Sequence, residues 1–247
     1  LENLVDIYER ESDWLKAIEA HRELEVMTGE KSSQVAHYYC ELAEGARIKG
    51  DLDLARQHLK SSVRSETGAF RGTVIRAVIA QEEEDFAQAL RLYERVLEAD
   101  QRLMVEVLPQ LVECYEATNR QQELERYLEG FTAEEGDVKR NFAYAVIIND
   151  LTALPALYTC VEDFILHHDI LATLVDTDHL NGLSKTEREH AILRIASGLR
   201  QLALSSARYR CTTCGYSTQR LVWHCPSCKA WETIKPTQAF QFESMVA

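Results

Sequence analysis

Three stretches of the sequence share one local pattern, and its recurrence constrains the fold more than any other feature. Asp13-Trp14-Leu15-Lys16-Ala17-Ile18, Asp51-Leu52-Asp53-Leu54-Ala55-Arg56 and Asp85-Phe86-Ala87-Gln88-Ala89-Leu90 each place a small residue behind an acid-bearing turn. The small residues Ala17, Ala55 and Ala89 are separated by 38 and 34 positions, and four places after each comes a larger one: His21, Leu59 and Tyr93. Helical periodicity flanks the turns. Leu1, Leu4, Val5 and Tyr8 line one face ahead of Asp13, a helix cap, and Tyr39, Leu42, Ala43 and Ala46 do so ahead of Gly50, which sits where a helix C-terminus favours glycine. A period in this range marks stacked helical units, each one a supersecondary element that needs its neighbours to bury a core.

The pattern resembles the tetratricopeptide repeat, in which the small residue lets the two helices of a hairpin approach closely. Residues from about 69 to 82 and 86 to 99 form the third pair. In the fourth, Leu108, Leu111, Val112 and Tyr115 fit, but the small position falls on Leu124, so looser packing is expected there. Asp137 to Asn149 and Ala153 to His167 read as a further hairpin, with Pro155 in a first turn, where proline is tolerated. Asp169 to His179 and Ser184 to Ser206 read as a last pair, Ser184 and Glu187 forming a capping box. The expected fold is mostly α: a repeat solenoid of five to six hairpins over residues 1–206. Only ten Gly and four Pro in 247 residues agree with long helices.

Directly after residue 206 come two CxxC knuckles, Cys211-Thr212-Thr213-Cys214 and Cys225-Pro226-Ser227-Cys228, ten residues apart. Two such turns bring four thiolates together as a tetrahedral site for Zn²⁺ or iron, and Gly215 supplies the permissive backbone behind the first. Cys211, Cys214, Cys225 and Cys228 are therefore the expected metal ligands of a small domain spanning 207–236. Alternation around Leu221, Val222 and Trp223, and from Trp231 to Ile234, predicts short strands about the metal. Tyr209, Tyr216, Trp223 and Trp231 exceed what thirty residues can hide, so part of that surface should pack on the last helices. Residues 237–247 read as a tail, with Phe240 and Phe242 free to lie on the body.

Net charge is −13, which disfavours nonspecific binding to nucleic acid or an anionic membrane. From Arg208 to Lys235, however, there are five Lys/Arg and one Glu, so even with the −2 of a Zn(Cys)₄ centre the segment is a basic knob that should dock on the acidic remainder. Cys40, Cys114 and Cys160 are scattered through helices and read as small buried hydrophobes in a reducing compartment. No apolar run is long enough to span a membrane. The chain opens at Leu1 inside an amphipathic pattern, without Met or cap, and reads as a piece of a longer protein.

Catalysis is not expected. HExxH, GxSxG and GxGxxG are all absent; Gly29-Glu30-Lys31-Ser32 follows a helix and completes no phosphate loop; His190 is alone, and His167-His168 falls at a helix end, where histidine suits the dipole. The run Glu82-Glu83-Glu84-Asp85 reads as a solvated helix end. What a helical repeat array does offer is a groove lined by the first helix of each hairpin. In the register of the repeat, that groove takes Glu2, Asp6 and Glu9; His37, Cys40, Glu44 and Arg47; Arg71, Val74, Val78 and Gln81; and Glu106, Pro109, Glu113 and Glu116. Acids outnumber bases seven to two there. That fits capture of a Lys/Arg-rich segment, and it equally fits an ordinary solvated face of an acidic protein.

With repeats and knuckles both in view, the chain resembles the lipopolysaccharide assembly protein B family of Gram-negative bacteria. The resemblance runs from Tyr209-Arg210-Cys211 through Trp223-His224-Cys225-Pro226-Ser227-Cys228 to Ala230-Trp231-Glu232-Thr233-Ile234-Lys235-Pro236, and includes Ala36-His37-Tyr38-Tyr39-Cys40-Glu41-Leu42-Ala43 in the repeats. It implies a rubredoxin-type metal domain closing a repeat array, and an N-terminal membrane anchor and further repeats that are missing here. It also implies a non-catalytic adaptor on the cytoplasmic face of the inner membrane, bringing the deacetylase LpxC to the protease FtsH, and an inner-membrane regulator that restrains it. Rubredoxins separate their CxxC pairs by a far longer loop and end in CPxCG, whereas Lys229 follows Cys228 here. Zn²⁺ is therefore favoured over Fe. An iron redox protein, or a zinc-ribbon nucleic-acid binder using Arg208, Arg210, Arg220, Lys229 and Lys235, are the alternatives.

Overall fold

The computed structural model describes residues 1–65, 70–132, 136–168, 171–172 and 175–237. The chain divides into two compact units, Leu1–Ala99 and Asp100–Ala247. Among the described residues the first contains six helices in three hairpins: α1 (Glu2–Glu11) with α2 (Trp14–Thr28), α3 (Gln34–Ile48) with α4 (Leu52–Ser65), and α5 (Phe70–Glu82) with α6 (Phe86–Ala99). Ala17, Ala55 and Ala89 are each completely buried at the hairpin crossings, and Leu59 and Tyr93 are buried one turn later. A larger side chain at the crossing would hold the helices apart, since packed interiors leave no room for added methylenes. His21 is half-buried, its ring nitrogen 3.0 Å from the Tyr38 hydroxyl.

The turns repeat as closely as the helices. Ser12, Gly50 and Glu84 all adopt left-handed backbone, and the amide of the following aspartate reaches back to a carbonyl five residues earlier: Asp13 to Tyr8, Asp51 to Ala46, Asp85 to Ala80. This is the Schellman closure that satisfies the last carbonyls of a helix. The same aspartates then cap the next helix, their carboxylates accepting from the amides of Lys16, Leu54 and Gln88 at 3.0–3.3 Å. One dipeptide thus ends a helix and starts its partner. The acid run at 82–85 turns out to be such a turn: Glu82 pairs with Arg47, Glu83 with Arg56, Glu84 makes the left-handed step and Asp85 is the cap. Glu84 is the least suited to φ +62° of the three, because L side chains are strained there by about 1–2 kcal/mol. Glu84→Gly should therefore raise stability by about 0.5–1 kcal/mol after the entropy of the freer unfolded chain is deducted, and Gly50→Ala should lower it by a similar amount. Urea midpoints of the two variants test the pair.

Coverage of α1 is less complete than its periodicity predicts. Val5 is buried, but Leu1 and Leu4 remain 39% and 42% exposed.

The second unit begins with a 3₁₀ turn, Gln101–Leu103, followed by α7 (Met104–Ala117), α8 (Gln121–Thr132), α9 (Asp137–Ile148), α10 (Pro155–His167), α11 (Thr177–Gly182) and α12 (Lys185–Ser205). Left-handed Asn119 and Asp150 close α7 and α9 with the same five-residue return, from Arg120 to Tyr115 and from Leu151 to Val146. The aspartate cap is gone, however, and packing changes with it. The α9 helix meets α7, α8, α10 and α12, and every residue from Phe142 to Ile148 is buried. A helix apolar on all sides belongs inside a bundle. Leu124, at the expected small position of the fourth pair, is buried as well. Pro109 lies inside α7, where its missing N–H would strand the carbonyl of Val105; the Asn149 amide fills that role, donating to Val105 O at 2.9 Å. At the end of α9 the Arg200 guanidinium donates to Ile148 O at 3.0 Å. The α12 capping box of Ser184 and Glu187 is formed. Part of the segment expected to be helical from Asp169, and the tail with Phe240 and Phe242, lie outside the described residues.

Three short strands follow: β1 (Tyr209–Cys211), β2 (Ser217–Thr218) and β3 (Ile234–Pro236), antiparallel in the order β2-β1-β3. No strand forms over 221–223, and of the stretch expected to be a strand from Trp231 to Ile234 only Ile234 enters one, as the first residue of β3; the chain between is spent on the second knuckle, where His224 and Trp231 make one isolated bridge.

Candidate metal centre and the candidate partner faces

The two knuckles are built alike. The amide of Gly215 donates to Cys211 O at 3.0 Å and that of Lys229 to Cys225 O at 2.9 Å, and both residues are left-handed, with φ +78° and +62°. Lys229 therefore occupies the glycine position of the second knuckle and takes the glycine conformation. These turns converge the four Sγ atoms of Cys211, Cys214, Cys225 and Cys228 to within 4.8 Å of one another, the only such cluster of potential metal ligands among the described residues. Two cross-knuckle edges, Cys211–Cys228 and Cys214–Cys225, are each 3.7 Å. A tetrahedron of sulfurs with metal–sulfur bonds of about 2.3 Å has edges of about 3.8 Å. The donor set and its spacing fit a tetrahedral thiolate metal.

Electrostatics points the same way. The Cys211 thiol is brought down to about 5 by its contact with the Thr233 hydroxyl, 3.2 Å away, and by the N–H groups of Cys214 and Thr213. The Tyr216 N–H lowers Cys214. Cys228 goes the other way: the Ala230 N–H favours its thiolate, but burial and the three neighbouring sulfurs outweigh it and push the thiol up to about 12. Four thiolates this close repel, and a divalent cation is what allows all four to ionise. The remaining cysteines differ in kind. Cys40, Cys114 and Cys160 are buried in helices, and burial pushes Cys114 up to about 11 and Cys160 up to about 12, leaving them as inert thiols.

The ribbon is anchored within its own unit at the start of α7. Tyr209 is buried and its hydroxyl donates to the Glu106 carboxylate, while β3 lies against the 3₁₀ turn at 101–103. Of the four large rings expected to pack in part on the last helices, Tyr209 is anchored on the first elements of the unit, to which it points back from β1. Arg208 lies over the Tyr209 ring at 5.6 Å and donates to Gln219 O, and Lys235 adds its charge beside Asp100. Arg210, Arg220 and Lys229 remain exposed. His224 stacks on Trp231 with ring centroids 4.2 Å apart.

The structure distributes the predicted groove residues unevenly. In the first unit Glu2 and Asp6 are exposed on α1, but Glu9, His37, Cys40 and Arg71 are buried. Glu9 accepts from the Tyr38 hydroxyl at 2.7 Å, and Arg71 pairs with Glu41 at 2.8 Å. Glu44 holds Arg47, which also meets Glu82. Val74 and Val78 are half-buried, and Gln81 accepts from the Tyr93 hydroxyl. In the second unit Glu106 is taken by Tyr209, Pro109 is half-buried, and Glu113 and Glu116 are exposed on α7. Sequence reasoning missed the Glu106–Tyr209 contact, which joins residues 103 positions apart.

Among the described residues no helix is long and apolar enough to cross a membrane. Residues 209–236 match the rubredoxin metal binding domain family. Lipopolysaccharide assembly protein B of Escherichia coli K12 is 29% identical over 240 residues, covering 96% of this chain and 61% of that protein. The protein of the same name from Haemophilus influenzae is 26% identical over 244 residues, covering 96% and 60%. The chain thus spans about three-fifths of the length of the curated relatives it matches, and over nearly all of its own length, helices and metal ribbon together, it is similar to proteins named lipopolysaccharide assembly protein B.

Proposed function

We propose that the chain is part of a non-catalytic adaptor that regulates lipopolysaccharide synthesis at the cytoplasmic face of the bacterial inner membrane, presenting LpxC to FtsH and answering to an inner-membrane regulator. The observation that carries this reading is the similarity to the lipopolysaccharide assembly proteins, which covers 96% of the chain and so includes both the hairpins and the four-cysteine ribbon. In it, Cys211, Cys214, Cys225 and Cys228 hold Zn²⁺ as thiolates. The metal supplies charge neutralisation and a crosslink, with no redox chemistry. The protein contributes binding faces, and holding substrate beside a membrane protease raises its local concentration. Exposed acids on α1, Glu2 and Asp6, and on α7, Glu113 and Glu116, are the faces that suit a Lys/Arg-rich partner segment.

The test is recovery of LpxC and FtsH with the anchored full-length protein from membranes. Both should co-purify, and Glu113→Lys with Glu116→Lys should weaken capture roughly tenfold. Recovery of neither protein would end the adaptor reading; undiminished capture by the charge-reversed protein would remove the acidic α7 face from it. Metal analysis of the same preparation should return one zinc per chain, and iron in its place would refute the zinc assignment.

A further inference from the structure

A pocket of 390 Å³ opens in the first unit between α4, α5 and the start of α6. Its volume is in the range of small-molecule sites. The floor is apolar: Leu59 and Ile79 belong to the buried cluster that also contains Cys40 and Ala55, and Val63, 41% exposed, extends it to the lip. The rim is cationic, which is unusual in a chain of net charge −13. Glu83 is the one carboxylate among the lining residues, and Arg56 engages it while also donating to Asp53 at 2.8 Å. Lys60 and Arg76 are left over.

Arg76 is the more telling of the two. It is half-buried, and among the described residues its guanidinium donates only to Gly72 O and Thr73 Oγ1 of its own helix, each at 3.2 Å, and meets no carboxylate. Burial, and then the nearby charge of Arg95, both disfavour its charged form. A partly desolvated cation without a counter-ion is costly, and an anion entering the pocket would remove that cost while its apolar portion covered the floor. A basic ligand meets two like charges there, and a neutral apolar one leaves Arg76 uncompensated. We propose that this pocket binds a small amphiphilic anion, its aliphatic or aromatic body on Leu59, Val63 and Ile79 and its carboxylate, sulfonate or phosphate group held by Lys60 and Arg76. This site is separate from the metal centre and from the acidic helix faces, and stands whether or not the adaptor reading does.

Methyl NMR of the intact chain titrated with octanoate, and with octylamine as the opposite-charge control, tests it. Octanoate should shift the Ile79 and Leu59 methyl signals saturably, and octylamine should leave them in place. Arg76→Met, which keeps the packed stem, and the exposed Lys60→Ala should each weaken octanoate roughly tenfold. Should Arg76→Met lose helicity by circular dichroism, Lys60→Ala alone decides the charge term. Absence of any octanoate shift at Ile79, equal shifts with octylamine, or unaltered affinity in Lys60→Ala overturns the proposal. So does a result in which an acidic peptide moves Ile79 and octanoate does not, since the occupant would then be a polypeptide.

Discussion

Cys225→Ser is expected to release the metal and unfold residues 207–236, while the helices before them keep their content. The ribbon has almost nothing else to fold around: its buried cluster is Tyr209, Cys211, Cys225 and Ile234, with Leu221 and Cys228 packed on it, so two of four core residues are themselves ligands. Its strands are three, two and three residues long, and pairing on that scale is marginal in water. Structural zinc in small peptides contributes about 10–16 kcal/mol of apparent binding energy at neutral pH, more than such a module could supply by packing. Circular dichroism should show helicity nearly unchanged, metal content should fall to zero, and a chelator should reproduce the variant in the unaltered protein. Tyr209 gives a local reading. Burial and then Glu106 raise its pKa above the ordinary tyrosine value of about 10, so a phenol protected in the intact protein should titrate normally once the ribbon opens. The sign follows: docking of Tyr209 is fully present below about pH 10 and weakens as pH rises above it. A Cys225→Ser protein whose Tyr209 still resists titration would mean that the helices hold the ribbon without metal.

Features written in adjacent residues were legible in the sequence. The knuckles needed only their spacing, and the three hairpins of the first unit needed Ala17, Ala55 and Ala89 behind an aspartate, because crossing and cap lie within five residues of one another. Pro155 at a helix start and the Ser184–Glu187 box were legible for the same reason. What depends on distant partners was not. Glu9 and Arg71 sit at groove positions of the repeat, yet Tyr38 and Glu41 draw them into the protein. Glu106 fits the groove pattern equally well, and only the fold brings Tyr209 to it. The division after Ala99 was not legible either, since Asp100 and the 3₁₀ turn at 101–103 make no longer a break between helices than the connection at 29–33. The apolar run from Phe142 to Ile148 could be read as helical; that this helix lies at the centre of its unit follows from four neighbours, none of which the run itself specifies.

That central position sets the second large effect, with Phe142→Ala expected to cost the second unit about 3–5 kcal/mol. Phe142 has no exposed surface and stacks on Phe131 of α8, with centroids 5.5 Å apart. Phe131 meets Tyr127 edge-on at 5.3 Å, and Tyr127 in turn lies 6.4 Å from Tyr115 of α7. Removing the ring both opens a cavity and ends this aromatic chain, which ties α7, α8 and α9 together, and aromatic pairs add about 0.5–1.5 kcal/mol beyond their buried area. The same helix presents Tyr144, whose burial raises its pKa against the opposing charge of Arg208, next to the ribbon's anchor. Damage should therefore spread in one direction. Loss of the metal removes the ribbon and leaves α9 packed, whereas loss of Phe142 loosens α7 and α9 and, through Glu106, the platform on which Tyr209 rests. Urea unfolding followed both by helicity and by Tyr209 titration separates the two: in Phe142→Ala both signals should shift to lower urea together, with metal still bound in the native protein. A shift under about 1 kcal/mol, or a ribbon signal that stays put while helicity moves, would show that α9 and the ribbon platform are not one cooperative core.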